Sequence, residues 1–281
     1  MKGFLNYYKP SGVTSAYAIN KIKKFFKGEK VGHMGTLDPL AEGVLPIAVG
    51  KATRLFDFLL DKDKVYIATF TFGYETDTLD RGGVVVNEGG KIPSKEDILK
   101  VIPSLTGKVM QTPPIYSAKN VNGKRSYELA RQGVSVELKP KEVEITKIEL
   151  LEEKGDSFVF EITCKGGTYI RSIVRDMATL LNTFGTMTAL KRVKSGAFTL
   201  ENAYNPDEID GVDISKLLIA PDSVLTFEEL RLTRELFVEL ENGRPCEVNA
   251  VNGTYKVYYE SEFIGVGIVE NSLLKIKARI K

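Results

Sequence analysis

Apolar and polar positions alternate most regularly in "KVYIATFTFG" (64–73), which predicts a strand with one face buried. "KEVEITKIELLEE" and "SFVFEITCKGGTYI" carry the same period and read as a pair of strands. The continuous apolar run Val44–Val49 suits a strand enclosed on both faces. In "NYYKPSGVTSAYAINKIKKFF" a short strand passes through the turn Pro10-Ser11-Gly12 into a helix. Ser15 is the expected cap of that helix, and Ala18, Ile22 and Phe25 or Phe26 its apolar face. "SKEDILKVIPSL" predicts a short helix opened by Ser94 and Asp97. "RSIVRDMATLLNTFG" predicts a helix that ends at Gly185, and "GYETDTLDRGG" a polar loop. "TPPIYSAKNVNGKRSYELARQG" begins as a proline-fixed loop, with a helix expected from about Ser126.

After residue 200 the pattern changes. "NPDEIDGVDISKLLIAPDSVLTFEEL" reads as an acidic surface linker with short helical turns. "TYKVYYESEFIGVGIVENSLLKIKARI" then turns strand-like, with turns marked by Asn252-Gly253, Ser261-Glu262 and Glu270-Asn271. A domain boundary falls near 228. The segment beyond this boundary is short for an independent core, so a small β-barrel resting on the larger domain is expected. There is no internal repeat.

The chain has 281 residues, enough for one large domain plus a small one. No apolar run approaches a membrane span, and "MKGFLNYYKPSG" has no signal core. Only two cysteines, Cys164 and Cys246, are present, far apart, which fits a reducing cytoplasm. With a single histidine, His33, a structural zinc site is not expected. The net charge of +2 hides a segregation. Residues 1–32 hold seven lysines and one acid, whereas 203–230 hold seven acids and one base. The first stretch suits a polyanion.

The candidate chemistry concentrates in "GHMGTLDPLAEGVLP" (32–46), where His33 and the isolated carboxylate Asp38 sit among glycines and prolines. "AVGKATR" fails as a phosphate loop, since Leu45 stands where the first glycine is needed and Ala52 follows Lys51. No Gly-x-Ser-x-Gly elbow exists. Asp38 also lacks the neighbouring acids of a magnesium-dependent phosphoenzyme. A lone carboxylate still serves as nucleophile or base if it is oriented and kept ionised, and burial then demands an arginine beside it. "CKGGTYIRS" offers one: Tyr169 and Arg171 come after two glycines, and in an extended segment they share a face.

"GHMGTLDPLAEGVLPIAVGKATR" closely resembles the catalytic-loop motif of the TruB family of tRNA pseudouridine-55 synthases. "YKPSGVTS", "DKDKVYIATFTFGYETDTLDRGG", "TPPIYSAKNVNGKRSYELARQG" and "GTYIRSIVRDM" resemble its further motifs in order, over about residues 3–200. The segment after 228 resembles the PUA-type RNA-binding barrel. The resemblance implies an α+β fold: a mixed, largely antiparallel sheet flanked by helices, with a small C-terminal β-barrel. It implies a catalytic domain over 1–228, with an RNA-contacting insertion near 112–135, and a PUA-like domain over 229–281. The activity implied is isomerisation of a uridine flipped out of the tRNA T-loop, with no cofactor and no metal. Asp38 would be the catalytic aspartate, Arg171 its ion-pair partner, and Tyr66 a catalytic residue that stacks on the base and helps remove the proton from carbon 5. Tyr169 and Leu190 would line the pocket, His33 would sit against the RNA, and Lys9 would support the catalytic loop. Lys119, Lys124 and Arg125 would hold phosphates. Relatives that work with guide RNA carry extra terminal segments, so a monomer acting on the tRNA T-arm without guide RNA or membrane is expected. Two positions depart from the family pattern: Met34 is larger than usual, and "LLNTFGTMTALKR" replaces a compact glycine turn before Leu190.

Overall fold

The computed structural model describes residues 1–59, 62–117, 120–121, 123–126, 138–205 and 211–281, with backbone alone at 120–121 and 124–125. Its central sheet runs in the order Gly3–Lys9, Glu42–Val49, Gly185–Ser195, Lys64–Phe72, Ser157–Cys164, Lys141–Lys154, Gly107–Gln111. Neighbours are antiparallel except Glu42–Val49 and Gly185–Ser195, which run parallel and pair only at Lys191–Glu42 and Arg192–Gly43. Beyond those two pairs the same edge of Glu42–Val49 is taken by Val31–His33. The sheet therefore splits at this point, and the chain segment between Val31–His33 and Glu42–Val49 emerges from the split.

The alternation in 64–73 buries Tyr66, Ala68, Phe70 and Phe72 on one face. Across the strand pair they meet Phe158, Phe160, Ile162 and Cys164. The Phe70 and Phe160 rings lie 5.0 Å apart, and Phe72 meets Phe158 edge-on at 5.7 Å. The helix Ile170–Leu180 lays Ile170, Ile173, Val174 and Met177 into the same core. A second sheet, Glu228–Leu232, Gly253–Tyr259, Glu262–Glu270, Leu273–Arg279, Cys246–Glu247, curls at the C-terminal end. One of its faces encloses Leu240, Val257, Ile264, Val269 and Leu274. Its other face joins the large sheet, where Tyr258, Phe263, Val266 and Ile280 pack with Phe4, Val44, Leu55 and Phe198.

Several local expectations are revised. Thr14, not Ser15, caps the first helix, Ser15–Lys23: its hydroxyl accepts from the Tyr17 N–H at 3.0 Å. Ser15 is drawn away by the neighbouring loop, where it bonds to Leu37. The polar loop 73–83 opens into a hairpin, because Tyr74–Thr76 pairs with Val85–Glu88. The helix after Arg171 stops at Leu180, and Gly185 opens a strand, packed so closely that a Cβ there would meet Val174 at 2.9 Å. The last hairpin turns at Asn271 and Ser272, both with positive φ, rather than at Glu270-Asn271. The acidic stretch is more than a surface linker, since Ile219 within it bridges to Phe4. The helix expected after Ser126 lies outside the described residues.

Candidate active site

Asp38 sits in the turn that leaves the split in the sheet. Four residues from the N-terminal strand, turn and helix hold this segment. Ser15 Oγ donates to the Leu37 carbonyl and accepts from the Leu37 N–H, both at 2.9 Å. The Gly12 N–H donates to the Pro39 carbonyl at 2.8 Å, and Ser11 Oγ to that of Leu40 at 2.7 Å. Lys9, fully buried, spends its ammonium on the carbonyls of Pro10 (2.9 Å), Val13 (2.7 Å) and Pro39 (3.3 Å). "YKPSGVTS" is thus a clasp for the Asp38 turn. Desolvation brings the Lys9 pKa down to about 8, although the charge of Asp38 opposes the fall.

The structure brings Asp38 and Arg171 together across 133 residues of sequence. Arg171 Nε donates to Asp38 Oδ2 at 2.9 Å and Nη2 to Oδ1 at 3.1 Å, a two-pronged pair. The guanidinium is buried, while the Asp38 side chain keeps 32% of its surface. Arg171 also donates to the carbonyls of Thr78 and Tyr116, both at 3.0 Å, and lies 3.5 Å from Asp80 Oδ2. One guanidinium therefore ties the Asp38 turn to two other loops. The loop at Thr78 is itself over-determined. Leu79 holds a positive φ of 62°, uncommon for a branched side chain, and its carbonyl accepts from the Met187 N–H at 3.0 Å.

Tyr169 and Arg171 do not share an extended segment as their spacing suggested. Tyr169 is the N-cap of the helix Ile170–Leu180, and Arg171 lies in its first turn. Gln111 holds this junction: its Oε1 accepts from the Tyr169 N–H at 2.8 Å, and its Nε2 donates to the Tyr169 carbonyl at 3.2 Å. Tyr66 stands mid-strand, opposite Ile162 and Arg192, with its phenol pushed up in pKa by burial. Leu190 pairs with Ala68, so by the two-residue period it shares a face with Tyr66 and Arg192. His33 ends its short strand with Nδ1 buried and unpartnered among the described residues, and burial lowers its pKa. Lys124 and Arg125 pair in backbone with Asn120 and Val121 as a small hairpin beyond Tyr116, their side chains not described. Lys119 lies outside the described residues.

Sequence reasoning missed Arg192 and Gln111. The signal for Arg192 was present: in "TALKR" it falls two positions from Leu190 and so on the same strand face.

The arrangement is an oriented carboxylate, exposed on one side and gripped by an arginine on the other, with a buried tyrosine nearby. The known proteins give the class. Residues 23–170 match the family described as TruB family pseudouridylate synthase (N terminal domain). A tRNA pseudouridine synthase B of Clostridium kluyveri is 39% identical over 284 residues, covering 98% of both chains. One of Fusobacterium nucleatum is 39% identical over 280 residues, again covering 98% of each. Among solved structures, a chain of the Cbf5-Nop10-Gar1 complex superposes with a TM-score of 0.71 at 24% identity, over 95% of this chain and 78% of that one. A chain of an H/ACA ribonucleoprotein bound to a substrate RNA containing 2′-deoxyuridine gives 0.73 at 21% identity, over 99% and 85%. The class is RNA pseudouridine synthase, an isomerase on the α+β fold expected from the sequence. Within it, the chain belongs to the TruB family.

Proposed function

We propose that this chain converts uridine 55, in the T-loop of tRNA, to pseudouridine, with Asp38 as the reacting carboxylate. The observation that carries the reading is the Asp38–Arg171 pair, which fixes one side of the carboxylate and leaves the other open. The isomerisation breaks the bond between uracil N1 and ribose C1′, turns the base, and joins C5 to C1′. The C5 proton is lost and N1 gains one, so nothing is added or consumed.

The base must leave its stack first, at a cost of a few kcal/mol. Stacking on the Tyr66 ring would return roughly 1–3 kcal/mol of this. Tyr169 and Leu190 complete the pocket in this reading, and His33 fills space against the opened loop. Lys119, Lys124 and Arg125 belong to a segment that starts at Tyr116, whose carbonyl already holds Arg171, and they take up phosphates of the T-arm. Residues 229–281 serve as a PUA-like RNA-binding domain with a small core of its own, packed against the catalytic domain. The protein works as a single chain on free tRNA, without guide RNA. This rests on curated relatives named tRNA pseudouridine synthase B that match nearly end to end.

The test is to incubate the purified protein with an unmodified tRNA transcript and map pseudouridine along it. Product confined to position 55 supports the reading. Product elsewhere, or binding with no product, overturns it.

A further inference from the structure

Arg192 is among the most deeply buried large side chains, with 1% of its surface exposed. It has no carboxylate partner among the described residues. Burying a guanidinium without a counter-charge is costly, so what it touches is informative. Its Nε donates to the Val44 carbonyl at 2.7 Å and its Nη2 to the Gly35 carbonyl at 3.2 Å. Gly35 precedes Asp38 and Val44 comes after it, so one side chain grips both ends of the Asp38 turn. Its backbone is bound to the same turn. Arg192 pairs with Gly43 in the two-residue parallel contact, and a Cβ on Gly43 would fall 2.3 Å from the Arg192 carbonyl oxygen. On the neighbouring strand Arg192 stands opposite Tyr66, close enough for its charge to act on the phenol.

From this geometry we infer that Arg192 is a positioning residue. It closes the base of the Asp38 turn through the Gly35 and Val44 carbonyls, while its strand register sets Tyr66 beside it, so the reacting carboxylate and the stacking ring keep a fixed separation. The inference rests on the reading of Asp38 as the reacting carboxylate. Arg171 aligns the Asp38 carboxylate itself, and Arg192 locks the base of the turn that carries it. Lys9, His33, Tyr66 and Cys164 all lie within reach of the Arg192 charge. His33 is the only histidine in the chain, so its ring signals report that charge without ambiguity.

The test compares the parent with Arg192→Met and Arg192→Lys. A loosened turn should lower the single-turnover rate on a T-arm hairpin about 100-fold in Arg192→Met, with affinity held within about threefold. Arg192→Lys, which keeps a buried cation and donors, should recover a good part of the rate. In Arg192→Met the His33 titration, followed by NMR, should move to higher pH, and amide exchange in 35–44 should accelerate while 64–72 stays protected. A rate within about threefold of the parent, or rate and affinity falling by one common factor, overturns the inference. So does an unmoved His33 titration. If Arg192→Met does not fold, Arg192→Gln takes its place, since its short neutral amide cannot bridge the Gly35 and Val44 carbonyls: a parental rate with unchanged exchange in 35–44 overturns the positioning role, and a slowed rate with faster exchange supports it. If the parent makes no pseudouridine, the functional reading has failed, while the His33 titration and the exchange in 35–44 still judge the role of Arg192.

Discussion

At the residue scale, Asp38 and Lys9 make opposite demands on the site. Asp38→Asn keeps the side-chain shape but removes the charge and the reacting oxygen. Arg171 retains the Thr78 and Tyr116 carbonyls, so the fold should survive. Turnover should disappear, while tRNA affinity stays within about tenfold, or ~1.4 kcal/mol. Circular dichroism and filter binding check the two halves of that statement, and measurable product from the folded variant would remove Asp38 from the chemistry. Lys9 supplies a pH dependence. Its native pKa is lowered to about 8, chiefly by desolvation, whereas an unfolded lysine holds its proton to about 10.4. Between those values the unfolded chain binds more protons, so the contribution of Lys9 to stability rises with pH across the window. The rate should move the other way. Above about pH 8 the amine has two donors for the three carbonyls of Pro10, Val13 and Pro39, and the clasp loosens. A pH–rate profile should therefore fall through pH 8, and Lys9→Arg should carry the falling limb to higher pH.

At the element scale, the split in the sheet places the chemistry. Glu42–Val49 pairs along one edge with the N-terminal strand, and its other edge is shared between Val31–His33 and two residues of Gly185–Ser195. That sharing requires Gly43, which combines a φ of 105° with backbone contact to Arg192. Gly43→Ala should destabilise by at least about 3 kcal/mol, from backbone strain and overlap together. Gly12, also at positive φ, faces open space, so Gly12→Ala should cost only roughly 1–2 kcal/mol. Denaturant melts of the two variants separate strain alone from strain plus collision, and equal losses would contradict the close approach at Gly43.

At the scale of the whole molecule, the C-terminal sheet is bound into the large one. Phe4, Leu55 and Phe198 on one side share a cluster with Phe263, Val266 and Ile280 on the other. Ile280→Ala should cost about 2–5 kcal/mol, and calorimetry should still show one transition for the entire chain. Two resolved transitions in the parent would mean that the shared cluster does not couple the sheets. RNA binding should weaken steeply with salt, by a log–log slope of about −0.7 for each phosphate neutralised on a single strand. Replacing Lys124 and Arg125 together by alanine should flatten the slope by about 1.4 if each meets one phosphate, and an unchanged slope would place the phosphates elsewhere.

The amino-acid pattern by itself determined the strands 64–72 and 157–164, the apolar strand ending at Val49, and the need of a buried Asp38 for an arginine. These features arise from side-chain period and local electrostatics, which act within a few residues. Other features were decided by the tertiary structure. Ser15 is a good helix cap by type, yet Leu37, 22 residues away, claims its hydroxyl and leaves the cap to Thr14. The polar segment after Gly73 becomes a hairpin only because Val85–Glu88 lies beside it. Arg192 looks like an ordinary basic residue in "TALKR" until strand register sets it between Tyr66 and Gly43. Register and loop closure depend on contacts distant in sequence, and a one-residue slip would turn Arg192 to the opposite face. Local propensity marks which residues are suited to a site, and the long-range pairing of the sheet decides which of them meet.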